Sequence, residues 1–130
     1  MNFKKIFCWP PLLAGIGAGV TIGILGYITY QSILADTNYG LWLFASFGST
    51  VVIVFGYPNN EFAQPKNIFF GHLLTAFVGI FFLTFFEVNF ITIAIAVGIS
   101  VMLMIAFKIT HPPAGGNPIA VMLGGVSFQF

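Results

Sequence analysis

Four long, nearly uncharged apolar runs limit the folds open to this chain. They cover residues 12–34, 41–57, 68–86 and 90–110. A helix needs about 20 apolar residues to cross the roughly 30 Å hydrocarbon core of a bilayer, and about 17 is the short end of the range. Backbone groups in lipid must be hydrogen-bonded within the protein, and a helix meets that requirement locally. The runs therefore predict an all-α fold: a polytopic transmembrane bundle of four helices plus the start of a fifth.

The scarcity of charge supports a membrane location and excludes several classes of protein. Of the 130 residues, 58% are hydrophobic and 5% are charged, whereas soluble domains carry about 25% charged residues. The formal net charge of +1 leaves no basic surface for nucleic acid, which is not an expected partner. The single Cys8 excludes an internal disulfide. We expect one transmembrane domain over residues 1–130, surrounded by the lipid bilayer, with no metal and no cofactor.

The lysines predict an orientation. Basic residues are enriched in the cytoplasmic connections of membrane proteins. With the N-terminus in the cytoplasm, all the lysines fall on the inner side: Lys4, Lys5, Lys66 and Lys108. The run at 12–34 is longer than the roughly 7–15 residues of a signal-peptide core, so we interpret it as a retained helix. We therefore expect an integral protein of a bacterial inner (plasma) membrane with a cytoplasmic N-terminus.

Small residues on the first helix predict helix packing. Gly15, Gly19 and Gly23 recur at every fourth position. Such a face lets another helix backbone approach closely in lipid, where apolar burial does not drive association. Because four helices and a fragment enclose little space for a water-filled path, we expect a homo-oligomer packed in part through these glycines.

The backbone is broken behind the fourth run, in the stretch "KITHPPAGGNP" at 108–118. Pro112 biases His111 away from the helical conformation, and Pro113 removes a second amide donor, so the fourth helix should end at about Thr110. Irregular backbone at membrane depth is tolerated chiefly where it lines a water-filled cavity or is buried in protein. This turn is therefore a candidate functional site.

A new helix is expected directly after this break. Gly115 and Gly116 allow a close turn, and Asn117 is a suitable cap for a helix whose first residue is Pro118. The free amides and the positive dipole end of that helix would attract an anion. Lys108 lies three residues before the histidine of the turn, so we expect the two side chains to face the same place.

The last apolar stretch is short. Residues 118–130 make at most 13 residues of helix, about 20 Å, which does not span a bilayer. One alternative is that residues follow Phe130 or that the tail is disordered, and the other is that this piece is a re-entrant or interfacial half-helix. We favour the first, because an apolar end that stops in lipid leaves its last carbonyls unpaired.

The connection "YPNNEFAQPKN" at 57–67 has similar chemistry to the later turn. Gln64, Lys66 and Asn67 precede the third helix, and His72 lies one to two turns inside it. An ionisable group facing lipid is expensive, so His72 should face protein or water. Two readings of His72 stay open: a neutral imidazole bonded to a neighbouring helix, or a part of a solute path. A lysine at a helix end, such as Lys66, often extends its amine to the membrane interface and has no further role.

These two turns carry a family resemblance. "THPPAGGNP" resembles the signature of the HPP family of small integral membrane proteins, and "YPNNEFAQPKNIFFGH" resembles the other characteristic turn of that family. The resemblance covers about Ser46 to Ser127. It implies a bundle of four or five membrane helices and a role in transport, and members in plastids and cyanobacteria are associated with nitrite transport. The family usually continues with a full closing helix where this chain ends.

We therefore expect a membrane transport protein, either a channel or a secondary transporter, for a small solute such as the monovalent anion nitrite. We expect His111 to be mainly neutral near pH 7, because a nearby lysine and partial burial both disfavour the imidazolium. No nucleophile with a paired base and no HExxH motif occurs, so an enzyme is not expected. A structural or assembly subunit of a membrane complex is the alternative. The candidate substrate-binding residues are Gln64, Lys66, Asn67, His72, Lys108, His111 and Asn117.

Overall fold

The computed structural model describes residues 9–34 and 41–127, and within them the side chains of 10–31 and 46–125. This part of the chain is helical and contains no strand, which confirms the all-α prediction. Lys4, Lys5, Cys8 and Phe130 lie outside the described residues. The elements in chain order are α1 (Trp9–Leu34), α2 (Leu41–Gly56), a 3₁₀ turn (Glu61–Ala63), α3 (Pro65–Phe85), α4 (Phe90–Ala106), a second 3₁₀ turn (Pro112–Gly116) and α5 (Asn117–Ser127).

The chain divides into two compact units, Met1–Asn60 and Glu61–Phe130, which we describe separately. In the first unit, α1 and α2 pack where α1 has a glycine: a β-carbon at Gly17 would lie 2.6 Å from the ring of Phe55. A β-carbon on the predicted glycine face would meet nothing within 4 Å in the described chain. That face is Gly15, Gly19 and Gly23, and its use between copies of the chain stays a prediction.

The helices are not four full spans. The segment Pro10–Gln31 of α1 and the whole of α3, Pro65–Phe85, are long and apolar enough to cross a membrane. The other two, α2 and α4, have 16 and 17 residues, at or below the short end of the roughly 17–25 residues that a span needs. Within the described residues, two helices of clear spanning length are present, so the prediction of four spans is supported only in part.

The fourth helix ends at Ala106, four residues before the predicted end. Lys108 has a left-handed backbone, with φ of 54°. The amides of Lys108 and Ile109 bond to the carbonyls of Ile105 and Met104 at 3.1 and 3.0 Å. These two bonds define a Schellman motif, which terminates a helix without proline. The prediction that the prolines end this helix was wrong, because Lys108 ends it first.

The third helix begins at Pro65, three residues earlier than predicted. The fixed φ of proline suits the first position of a helix, and its missing amide is one that would lack a partner there. Lys66 and Asn67 therefore belong to the first turn of α3 rather than preceding it. Asn67 Nδ2 donates to the carbonyl of Glu61 at 2.8 Å, which ties the preceding 3₁₀ turn to the helix start.

The second unit is built from α3, α4 and α5, which contact one another pairwise. A short connection after Phe85 makes α4 run opposite to α3. Their core is a cluster of buried residues that includes one side chain of α5. The buried members are Val78, Phe82, Ala96 and Met122.

The fifth helix runs parallel to α3 and starts inside the bundle. Asn117 at its start bonds to His72 and Thr75 of α3, and further along Gly125 lies against Leu83. This start is about 12 Å along α3 from its first residue, at 1.5 Å per residue. The described part of α5 has 11 residues, and both alternatives for the segment after Pro118 stay open.

Asn117 does not cap α5, contrary to the prediction. It has helical dihedrals, φ −62° and ψ −41°, because the 3₁₀ turn continues into α5 without a break. Its amide bonds to the carbonyl of Ala114, whose own amide bonds to His111 at 3.0 Å. These amides are therefore not available to an anion. A β-carbon at Gly115 or Gly116 would meet nothing within 4 Å, so close packing does not explain these glycines.

Candidate functional site

His111 is a fully buried polar residue in the second unit, with none of its surface exposed. It precedes the 3₁₀ turn with extended dihedrals, φ −133° and ψ 101°, as expected for a residue before proline. Its Nδ1 lies 2.7 Å from the carbonyl oxygen of Phe62. Because a carbonyl only accepts, the Nδ1 of His111 carries the proton and donates it. In the neutral ring, Nε2 is then the acceptor nitrogen.

His72 lies beside this ring, in agreement with the prediction that it faces protein or water. The two imidazole centroids are 5.1 Å apart, with a tilt of 59° between the ring planes. Nδ1 of His72 is 2.9 Å from Nδ2 of Asn117. Because an amide nitrogen only donates, Nδ1 of His72 accepts, and in the neutral ring the proton is on Nε2. The two rings therefore have opposite tautomers.

The side chain of Asn117 joins α5 to α3. Its Nδ2 lies 3.1 Å from the backbone carbonyl of His72 and 3.0 Å from Oγ1 of Thr75. The carbonyl sets the orientation of the amide, because only the nitrogen can donate to it. The hydroxyl of Thr75 donates in turn to the carbonyl of Gly71 at 2.9 Å. Thr75 was not predicted as a site residue.

Glycines on α3 let the turn and α5 approach its backbone. A β-carbon at Gly71 would lie 3.0 Å from Cβ of His111 and 3.2 Å from the carbonyl oxygen of Ile109. A β-carbon at Gly79 would lie 3.0 Å from Cα of Pro118. With Thr75 between them, these glycines form a face of small residues at every fourth position, the pattern of close helix pairs in membranes. The same spacing in the sequence would have revealed this face, which we identified only on α1.

Several predicted site residues lie away from the histidine pair. Gln64, Lys66 and Lys108 are exposed, and Asn67 is half-buried. Lys108 and His111 do not face the same place, because the helix has ended before them and their three-residue spacing no longer aligns side chains. The role of these four residues in binding a solute stays a prediction. The structure brings together three of the seven candidates: His72, His111 and Asn117.

Burial lowers the pKa of His111, while the hydrogen bond to the Phe62 carbonyl acts in the opposite direction. The ring is therefore mainly neutral near pH 7, as the sequence led us to expect. The cause differs in part, because the exposed Lys108 does not contribute to the lowered pKa.

Two further polar atoms are buried in this unit. Oδ1 of Asn117 and Oγ of Ser100 have no hydrogen-bond partner among the described residues. The site as a whole offers two imidazoles that bind and release protons and a small number of fixed hydrogen-bonding groups. Within the described residues, no three His, Cys, Asp or Glu side chains lie close enough together to hold a metal ion.

Comparison with known proteins gives consistent matches. Residues 6–130 match the family described as HPP, transmembrane region. A transmembrane protein of Dictyostelium discoideum is 38% identical over 105 residues, which is 78% of this chain and 36% of the relative. A second one from that organism is 31% identical over 106 residues, 78% of this chain and 34% of the relative.

This chain thus spans only 36% and 34% of the length of these two relatives. No solved structure matches it. The family match over residues 6–130 confirms the resemblance carried by the two proline-containing turns. The chain is an integral membrane protein and belongs to the HPP family.

Proposed function

We propose that this protein carries a small solute across a membrane, with a monovalent anion such as nitrite as its substrate. The observation that carries the proposal is the pairing of His72 and His111, whose centroids are 5.1 Å apart inside an apolar bundle. Ionisable groups within membrane segments are costly and typically mark ion or proton pathways. The solute path passes beside this pair, in a channel or a secondary transporter.

A structural role alone does not require two histidines. The hydrogen bond to the Phe62 carbonyl needs only a donor, which an asparagine or glutamine amide would supply. An imidazole adds a second nitrogen and a proton affinity near neutral pH. The non-helical backbone between α4 and the second 3₁₀ turn, at residues 109–111, supports the same proposal, because non-helical backbone at membrane depth commonly lines a cavity.

The chemistry of the path follows from the pair. Both rings are neutral at pH 7 in this proposal, and acidification adds one proton to the pair. A second proton is disfavoured because the first ring then carries a like charge nearby. A single imidazolium draws a monovalent anion into the bundle or gives it a proton. The exposed Lys66 and Lys108 lie at the same end of the unit and raise the anion concentration at the entrance.

The remaining parts of the proposal concern the setting of the protein. The N-terminus is cytoplasmic, the membrane is a bacterial plasma membrane, and the working unit is a homo-oligomer. Substrates are carried without chemical conversion, so the protein is not an enzyme, and nucleic acid is not a partner.

A second candidate function is a structural or assembly subunit of a membrane complex. The exposed glycine face of α1 favours it, because a β-carbon at Gly15, Gly19 or Gly23 would meet nothing within 4 Å in the described chain. A helix from another protein would fit such a face as well as a second copy would.

Uptake into sealed vesicles tests the proposal and separates it from the second candidate. The purified protein is reconstituted, and entry of nitrite, formate, nitrate and chloride is followed. We expect uptake of at least one anion, reduced in His111→Asn, which keeps a donor for Phe62 but loses the titrating ring. Lys66→Gln serves as a control for loss of positive charge at the entrance. No uptake of any of the four by correctly folded protein would contradict transport of a small anion.

A further inference from the structure

The second unit contains two buried polar atoms that its own residues do not satisfy. Ser100 is 0% and Asn117 is 1% exposed, and neither Ser100 Oγ nor Asn117 Oδ1 has a hydrogen-bond partner in the described part of the chain. Buried polar groups in proteins are nearly always paired, either with protein atoms or with ordered water. Two unpaired atoms in so small a bundle indicate that something else binds there.

The hydroxyl of Ser100 is unusual among those of the described helices. Thr21, Thr50, Thr75 and Thr84 each donate to the carbonyl four residues earlier in their own helix. That bond is the common way for a helical hydroxyl to satisfy itself. Ser100 does not make it, so its hydroxyl is available to another molecule.

The rise of the helices puts the two residues at similar levels of the bundle. Ala96 of α4 and Met122 of α5 belong to one core cluster, and these helices run in opposite directions. Toward the His-Pro-Pro turn, Ser100 lies about 6 Å beyond Ala96 and Asn117 about 7.5 Å beyond Met122, at 1.5 Å per residue. Ser100 shares the buried face of α4 with Ala96 and Met104. Because α3, α4 and α5 contact one another, their buried faces point to a common interior.

We propose that Ser100 Oγ and Asn117 Oδ1 form a binding site for a small uncharged molecule that donates one hydrogen bond and accepts one. Oδ1 only accepts, and the donor half of the Asn117 amide is already bonded to α3. The Ser100 hydroxyl supplies the matching donor. Water fits this description, and so does the neutral acid form of a small monovalent anion.

A bare anion does not fit the site, because Oδ1 would repel it and only one hydroxyl would donate to it. The nearest titratable groups are His72, bonded to the Asn117 amide, and His111 beside it. Neither α4 nor α5 carries an ionisable residue. If an anion takes the proton of an imidazolium, the products are a neutral ring and a neutral acid, and the acid fits the site. Binding of the acid rests on the proposed function, whereas binding of water does not.

The stability of Ser100→Ala without added solute tests the site. A hydroxyl that bonds a bound molecule stabilises the fold, so its removal should lower the melting temperature in nanodiscs, by about 2–5 °C. A hydroxyl that bonds nothing is a buried unsatisfied group, and its removal should leave the melting temperature unchanged or raise it. The second outcome would overturn the proposal. Ser49→Ala, at an exposed serine of α2, is the matched control and should shift the melting temperature little. Ser100→Cys is a second variant for the same measurement, in which a thiol replaces the hydroxyl as a weaker hydrogen-bond donor.

Added solute separates the two occupants. We expect sodium formate or sodium nitrite to raise the melting temperature of the wild type more at low pH, where more neutral acid is present, and not to do so in Ser100→Ala. Ser49→Ala should respond as the wild type does. A Ser100→Ala protein that melts lower, with no response to either solute in the wild type, assigns the site to water alone. Because these measurements need no flux, the site and the transport proposal can fail separately.

Discussion

At the scale of single residues, protonation of His111 is the property that links structure to function. The ring is buried, and burial lowers its pKa. Its Nδ1 proton is committed to the Phe62 carbonyl, so protonation occurs on the other nitrogen. Protonation of this ring is therefore unfavourable because the ring is buried. The same free energy affects the stability of the fold as well as solute binding.

The stability of the protein should fall as the pH is lowered, in part because of His111. Its pKa is lower in the folded than in the unfolded state, where it is about 6.5. The unfolded state then binds more protons, so the contribution of His111 is fully present above about pH 6.5 and is lost as the pH falls through the folded-state pKa. His111→Asn should flatten this dependence in thermal unfolding between about pH 8 and pH 5. An unchanged slope in His111→Asn would show that the ring does not titrate differently on folding.

At the scale of helices, the termini and close contacts are decided by individual residues. The Schellman bonds after Ala106 end α4 before the prolines are reached. Pro113 instead occupies the start of the second 3₁₀ turn. Pro113→Ala should therefore not extend α4, which differs from the expectation that the prolines end it.

Lys108 is strained where it stands, and glycine should relieve the strain. A residue with a β-carbon at φ 54° makes the folded state about 1 kcal/mol less stable than glycine would at the same position. Lys108→Gly should therefore raise the free energy of unfolding by about 1 kcal/mol. Lys66→Gly is the matched control in the first turn of α3 and should lower it by about 0.5–1 kcal/mol. Denaturant unfolding of both variants in detergent measures the difference, and the same sign in both would contradict the left-handed conformation of Lys108.

Gly71 should be irreplaceable, whereas a glycine elsewhere in a helix should not. A β-carbon at Gly71 would lie 3.0 Å from Cβ of His111 and 3.2 Å from a backbone oxygen, so Gly71→Ala must push the His-Pro-Pro turn away. We expect a loss of about 1–3 kcal/mol. Gly98→Ala on α4 meets nothing within 4 Å and should gain about 0.5–1 kcal/mol. Unfolding measurements that rank the two variants the other way would contradict the close approach of the turn.

At the scale of the whole molecule, membrane orientation and association remain proposals with direct tests. Two of the described helical segments are clearly long enough to span a membrane, Pro10–Gln31 and Pro65–Phe85. Exposed Gln64 and Glu87 lie at opposite ends of the second.

Thiol labelling should reveal the orientation. In a Cys8→Ser background, we expect a membrane-impermeant reagent added outside to label Glu87→Cys but not Gln64→Cys, because lysines favour the cytoplasmic side. Labelling of both after the membrane is permeabilised serves as the control. The reverse pattern would place the two proline-containing turns outside.

Association should depend on the glycine face of α1. Gly19→Leu puts a large side chain on a surface that has no neighbour within 4 Å in the described chain, so it should spare the fold and weaken the oligomer. Ile24→Leu, at another exposed position of α1, should change neither. The oligomer mass in gentle detergent measures the effect. A wild-type monomer with intact uptake would contradict the homo-oligomer.

The sequence by itself determined the helical class, the membrane setting and the family. These properties depend on features that are local in the chain: the length of apolar runs, the scarcity of charge, and the residues of the two proline-containing turns. It also indicated that His72 faces protein or water, because lipid would exclude an ionisable group at that position. The ends of the helices were predicted less well, since Lys108 adopts a conformation that its residue type does not favour.

Only the tertiary structure decided which polar residues meet. Asn117 reaches His72 and Thr75 because α5 begins inside the bundle and runs parallel to α3. That arrangement depends on the closeness allowed by Gly71 and Gly79, a contact between segments about 40 residues apart in the chain. Lys66 and Lys108 show the converse, because they are near the turns in sequence and yet exposed in space. Proximity along the chain does not fix the direction of a side chain once the helix has ended, so packing selects the site.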